Sequence, residues 1–310
     1  MSPNQPSQFK APSIEPRKRE DLLPLVLFLA GLVVYLLTRF IHLPDFPIYF
    51  FTDEAIQTQR AADLIENEFR SADDTLLPTY FDNGGQFNLS LSVYAQVLPT
   101  MVFGKSVWVT RGVSVLISLT AAISLGLIQK NAFHSRIWWI APLILSCIPA
   151  WFLHSRTAFE TVIMTSMYAV FLYFYLQYRQ GKPWTLLLAL FFGALAFYAY
   201  SPGQIIVVVT GLVLLIADSK YHWQHRKIAL TGLVLMALLA YPYLRFILNQ
   251  EQEPLHHLTL LNSYWVKPIP LFEKLLTYFI RYLKGLNPFY WFGPNPPLLN
   301  GIWPNLKLPA

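Results

Sequence analysis

The sequence predicts an all-α polytopic membrane protein: a bundle of about seven transmembrane helices with interfacial helices in two external loops. Three observations lead there. Of 310 residues, 55% are hydrophobic and only 13% charged, too few to cover a water-facing surface, since soluble domains carry roughly 25%. The mean hydropathy is +0.40. The apolar residues also fall into runs, at approximately 22–38, 88–104, 110–128, 137–153, 159–178, 184–200, 203–217 and 228–248, several of them near the ~20 residues that cross a bilayer.

The elements follow in order. Residues 1–21 are polar, rich in Pro and Ser, and basic at Arg17, Lys18 and Arg19; they read as a disordered cytoplasmic tail. The run that follows has no small-residue cleavage pattern behind it and reads as an uncleaved signal anchor. The basic linkers set the orientation. If 88–104 does not cross, the linkers 129–136 (Lys130, Arg136), 179–183 (Arg179, Lys182) and 218–227 (Lys220, Arg226, Lys227) all face the cytoplasm, as the positive-inside rule requires. If it crosses, all three face out. We therefore read 88–104, with Pro99 and the polar Asn88, Ser90, Ser92 and Gln96, as a helix in the outer interface. The chain is then expected to be a multi-pass protein of the plasma (inner) membrane with a cytoplasmic N-terminus.

Two external regions are large. The membrane module spans 22–248 and includes the first external loop, 40–109. Residues 249–310 form the second, with an amphipathic helix at 273–286, where Leu275, Leu276, Phe279, Ile280 and Leu283 alternate with Lys274, Arg281 and Lys284, and an aromatic, Pro-rich end.

The net charge of +6 sits between hydrophobic runs, so it sets orientation and does not point to nucleic acid. The lone Cys147 excludes an intrachain disulfide and a cysteine zinc cage; inside an apolar run, it reads as packing.

The unusual polar residues collect on the external side. Asp53 and Glu54 follow the first span, where bare carboxylates are costly to desolvate, and are the candidate catalytic pair. His154, Arg156 and Glu160 join the third and fourth spans; Tyr198 and Tyr200 join the fifth and sixth. His256 and His257 lie in the second loop. Blander readings stand beside these. Glu54 suits a cap, Arg156 snorkels to headgroups, Glu160 pairs with Arg156 across one turn, the tyrosines belong to an aromatic belt, and Arg111 anchors the outer interface. Adjacent histidines point apart and no third ligand has a convincing spacing, so no metal site is assigned.

These residues resemble a known family. An Asp-Glu pair after the first span, a long loop ending in Val102-Phe103-Gly104, Arg111 opening the next span, Ser155-Arg156 after Pro149, and Tyr200-Ser201-Pro202 are similar to the GT-C glycosyltransferases, nearest the family 39 group of protein O-mannosyltransferases and aminoarabinose transferases. The likeness covers about residues 22 to 292. It implies a transferase that passes a single hexose or pentose, with inversion, from a polyprenyl-phosphate carrier to a hydroxyl of a protein, lipid or glycan acceptor in the cell envelope, with Asp53 as base. It also implies a cation for the leaving phosphate. The stretch 84–88, Gly84-Gly85-Gln86-Phe87-Asn88, has no Lys where relatives often carry one, so that task falls to Arg156, Arg60 or Lys105, with His154, Glu160, Tyr198, Tyr200, His256 and His257 around the substrate. No cofactor is certain, and a divalent metal is left open. Relatives usually continue into further spans, so the chain reads as C-terminally short. The alternatives are a transporter or flippase-like protein, disfavoured because the spans carry almost no internal charge, and an inactive truncated remnant.

Overall fold

The structure is a computed structural model that describes residues 22–71, 74–250, 253–260 and 262–287. The expected tail and the aromatic end beyond 287 lie outside the described residues. The chain divides into two compact units, residues 1–249 and 250–310.

In the first unit the apolar runs become helices. They are α1 (Leu22–Phe40), α4 (Val107–Asn131), α7 (Glu160–Arg179), α8 (Thr185–Ala199), α9 (Ser201–Ala217) and α11 (Arg226–Asn249), with α2 (Thr52–Glu66) and α3 (Leu91–Phe103) in the first loop and the short α10 (Ser219–Gln224) between α9 and α11. Among the described residues the only paired strands are the small hairpin β1 (Phe81–Asp82) and β2 (Phe87–Leu89). The architecture is an all-α membrane bundle. By length and composition α1, α4 and α11 are each sufficient to cross a bilayer.

The run 137–153 is not one straight span. A 3-10 turn (Trp138–Ile140) leads into α5 (Ala141–Cys147), and α6 (Pro149–Ser155) departs at 82°. The cause is local. Proline disfavours helical backbone at the residue before it, and Ile148 is extended, at φ −80° and ψ 112°. Cys147, expected in packing, is exposed at this break.

Helix α3 also differs from expectation in its facing. Thirteen residues at about 1.5 Å each rise about 20 Å, short of the roughly 30 Å hydrocarbon core, so α3 does not cross. Yet its polar residues do not face water. Ser90, Ser92, Gln96 and Thr100 are buried, and Gln96 Nε2 donates to Thr110 O of α4, while Leu98, Met101, Val102 and Phe103 are exposed. Gln96 Nε2 finds a protein partner there, whereas Ser92 Oγ, Gln96 Oε1 and Thr100 Oγ1 are buried without a hydrogen bond among the described residues.

Packing relies on small residues where backbones approach closely. Helices α7 and α8 meet along Ala189, Ala196 and Ala199, with Gly193 against Phe171. At Gly126 of α4 an added Cβ would sit 2.4 Å from the Phe28 ring of α1. A separate core, Ala61, Leu64, Phe81, Leu89, Val93 and Val97, binds the first loop together.

The two ends of the bundle differ. At one end, Phe28 of α1 meets Trp138, which Lys130 also overlies; Asn131 bonds Tyr173, and Arg179 pairs with Asp218 at 3.1 Å. The three basic linkers share this end. The carboxylates Asp53, Glu54 and Glu160 lie at the other.

Pro242 lies inside α11, and side chains from outside the helix bind the backbone around it. The Tyr198 hydroxyl donates to Leu239 O at 2.7 Å and accepts from Tyr243 N at 3.2 Å, bridging two backbone groups one turn apart. Thr79 donates to Pro242 O, and Arg245 donates to Leu76 O and Leu77 O, so the first loop is tied to the same place. The Tyr198→Phe variant keeps the ring and removes both bonds, at about 1–3 kcal/mol. Thermal unfolding in detergent should fall by several degrees, and Tyr200→Phe should change it far less.

Candidate active site

The site forms where six chain segments end together: the C-terminus of α1, the segment 41–51, the N-termini of α2 and α4, the turn 155–160, and the junction of α8 with α9. Its centre is Glu54, fully buried. Glu54 Oε2 accepts from Arg111 Nε at 3.0 Å and from Ala158 N at 3.0 Å. Oε1 accepts from Arg111 Nη2 at 3.1 Å and from Phe51 N at 3.2 Å. One carboxylate thus caps α2, pairs with α4 and fixes the turn ahead of α7. With its acceptor positions spent inside the protein, Glu54 is a holding group rather than a free catalytic carboxylate.

Three guanidinium groups surround this point, all buried. Besides Glu54, Arg111 donates to the carbonyls of Leu43, Pro44, Pro47 and Tyr49; it is an internal strut, not the interface anchor expected. Arg156 donates to the carbonyls of Thr38, Arg39, Ile41, His42 and Phe46 at 2.8–3.1 Å. Arg39 stacks on Tyr35, 3.5 Å from the ring centroid, and donates to Ser155 Oγ, Thr38 Oγ1, Ser146 Oγ and Leu145 O. Arg156 therefore holds the segment 38–46 in place and makes no bond to Glu160. Hydrogen bonds to carbonyls satisfy donors without cancelling charge. Of these three cations only Arg111 is bonded to a carboxylate, Glu54, among the described residues.

Asp53 behaves in the opposite way to its neighbour. It is exposed, and among the described residues it makes no hydrogen bond or ion pair. Successive helical side chains diverge by about 100°, so when Glu54 points at α4, Asp53 points out. The Glu160 carboxylate, half-buried at the start of α7, lies within electrostatic reach of Asp53, and Tyr200 within reach of Glu160. Two carboxylates from distant segments thus lie within electrostatic reach of each other.

The other expected site residues distribute unevenly. Arg60 lies on the same face of α2 as Asp53, about 10 Å further along the axis, and is engaged by Asp82 O and Oδ2. Lys105 is exposed, with Nζ 3.4 Å from Gln59 Oε1. His154 is exposed beside Phe159, with Nδ1 3.4 Å from Thr161 Oγ1. Tyr198 binds the α11 backbone beside Pro242. His256 is exposed on α12 (Glu253–Leu260) of the second unit, and the His257 side chain lies outside the described residues. No group of three His, Cys, Asp or Glu side chains suited to a metal occurs among the described residues. Sequence reasoning missed Arg39; an Arg at the end of the first apolar span was the available signal.

The family model for dolichyl-phosphate-mannose-protein mannosyltransferase matches residues 91–246, half of the chain. This protein belongs to that family. Its GT-C fold is shared with two solved structures of ArnT from Cupriavidus metallidurans. The apo state superposes with a TM-score of 0.58 at 16% identity; the state bound to undecaprenyl phosphate superposes with a TM-score of 0.55 at 15% identity. Each alignment covers 91% of this chain and 53% of ArnT, so the chain spans about half the length of the solved relatives. A search of curated sequences finds no match.

The mannosyltransferase-family fold therefore rests, at this end, on Glu54–Arg111. Removing one partner of a buried ion pair costs about 3–5 kcal/mol. Arg111→Met should lower the unfolding temperature in detergent strongly, whereas Asp53→Asn, at an exposed site, should leave it within about a degree.

Proposed function

We propose that this chain transfers a single sugar from a polyprenyl phosphate to an acceptor hydroxyl, inverting the anomeric centre, with Asp53 as the base. Family membership supports the reaction class. The observation that carries the role of Asp53 is its placement: the exposed, unpartnered member of the Asp53-Glu54 pair, within electrostatic reach of Glu160 and at the end of the bundle that holds Arg39, Arg111 and Arg156. That a solved ArnT binds undecaprenyl phosphate supports a lipid-phosphate donor.

The chemistry suits the arrangement. The acceptor oxygen attacks the anomeric carbon, the bond from that carbon to the phosphate oxygen breaks, and the polyprenyl phosphate leaves with the electron pair. The hydroxyl proton passes to the Asp53 carboxylate. A carboxylate is a poor base for a resting hydroxyl, but it accepts the proton as the oxygen becomes acidic during attack, for a gain of about 10²–10⁴-fold. Negative charge grows on the departing phosphate, and preorganised positive charge in a low-dielectric setting stabilises it. The three buried arginines supply that field at a distance, which replaces the direct contact expected of Arg156. Arg60 and Lys105, nearer the surface, are the side chains suited to contact the headgroup. Glu160 and Tyr200 are placed to orient the sugar or acceptor.

In this reading the membrane module, residues 22–248, holds the site at its external end and keeps the N-terminus cytoplasmic, while residues 249–310 form a second external loop. The acceptor is a protein, lipid or glycan hydroxyl, and the sugar a hexose or pentose.

The test uses membranes containing the chain and a panel of radiolabelled polyprenyl-phosphate hexoses and pentoses, followed as label leaving the lipid fraction. Asp53→Asn should lower transfer about 10²-fold or more at unchanged protein level and unfolding temperature. Undiminished transfer by that variant removes Asp53 from the mechanism. Glu160→Gln should reduce transfer as well, with a smaller effect if Glu160 only orients substrate.

A further inference from the structure

The second compact unit contains a helix whose two faces have opposite chemistry. Helix α13, Leu271–Leu286, places Phe272, Leu275, Leu276, Phe279, Leu283 and Leu286 on one side at about 100° per residue. Glu273, Lys274, Thr277, Arg281 and Lys284 occupy the other. None of its described residues is buried, and Phe272, Phe279 and Leu283 are 74%, 59% and 63% exposed. A contiguous apolar strip this open marks an interaction surface.

The polar side is organised. Lys274 Nζ donates to Trp265 O at 2.7 Å, and the Arg281 guanidinium lies 4.9 Å from the Tyr264 ring centroid. The helix and the preceding 3-10 turn (Tyr264–Val266) are thereby joined, adding two aromatic rings of the kind enriched at headgroup depth. Charge is one-sided. Between residues 267 and 286 the sequence has Lys267, Lys274, Arg281 and Lys284 against Glu273 alone, four cations minus one anion, or +3.

We infer that α13 docks its apolar face into the headgroup boundary of an anionic bilayer leaflet, its cations lying against lipid phosphates. The one-sided positive charge, flanking an apolar strip, suits an anionic leaflet rather than a protein partner. Each cation near an anionic surface strengthens binding about fivefold, so a net +3 separates an anionic from a neutral leaflet by about 10²-fold. The inference concerns where this helix lies and which lipid holds it; it is independent of the role of Asp53.

The experiment uses the full chain in nanodiscs of phosphatidylglycerol or phosphatidylcholine. A spin label is placed at Phe279→Cys or at Thr277→Cys, each in a Cys147→Ser background, and accessibility to oxygen and to a water-soluble nickel chelate is measured. In phosphatidylglycerol the label at position 279 should be shielded from nickel about tenfold relative to position 277, as an in-plane amphipathic helix requires. The contrast should weaken in phosphatidylcholine, at high salt, and in a Lys267→Glu, Lys284→Glu variant. Equal nickel access at both positions in phosphatidylglycerol overturns docking. Equal shielding in both lipids overturns the charge argument. Shielding that persists in detergent, with crosslinks from position 279 to protein, assigns the face to a protein partner and overturns the proposal.

Discussion

The carboxylate of Glu54 and the guanidinium of Arg111, both withdrawn from solvent, organise the end of the bundle that carries the site. A buried carboxylate is tolerable only when its charge is paired and its lone pairs are satisfied, and Glu54 meets both conditions with groups from three parts of the chain. Phe51 N belongs to the start of α2, Arg111 to the start of α4, and Ala158 N to the turn before α7. Residues separated by 57 and 104 positions in sequence are held by one side chain. Arg111 then extends the constraint to Leu43, Pro44, Pro47 and Tyr49, so the segment entering α2 is fixed as well.

Arg156 and Arg39 apply the same logic to the junction of α1 with the broken span. The 82° break at Ile148 frees backbone and side-chain acceptors near Leu145 and Ser146, and Arg39 uses both. Arg156 gathers carbonyls from the end of α1 through Phe46. Guanidinium suits this work because its planar fork presents five donors and stays charged when buried. The hydrogen bonds are nearly all spent on structure, and only Arg111 is bonded to a carboxylate among the described residues.

How much of this was legible in the sequence differs between elements. Helices α1, α4, α7 and α11 follow the apolar runs closely, because a segment crossing lipid must satisfy its backbone internally and be apolar along most of its length. Ser201-Pro202 separated two runs, whereas the break at Pro149 lay inside what read as a single run, 137–153. The amphipathic pattern of α13 was readable because its faces separate at helical spacing. The inward facing of Ser92 and Gln96 on α3 was not, since polar residues on a short helix suit a watery interface and a protein interior equally well until the neighbour is known.

The site was legible in kind and not in assignment. Sequence alone determined that acidic and basic side chains unusual for an apolar chain cluster between certain spans, and that the fold is a helical membrane bundle, because composition and periodicity act locally along the chain. Only the tertiary structure decided which of two adjacent carboxylates is free. Asp53 and Glu54 are equivalent by composition and position, and they differ because Arg111 and Ala158, distant in sequence, arrive on one side of α2. The same arrival gave Arg156 a structural task and brought Glu160 to Asp53, since the partner of a buried charge is chosen by packing between segments that the linear sequence does not place together.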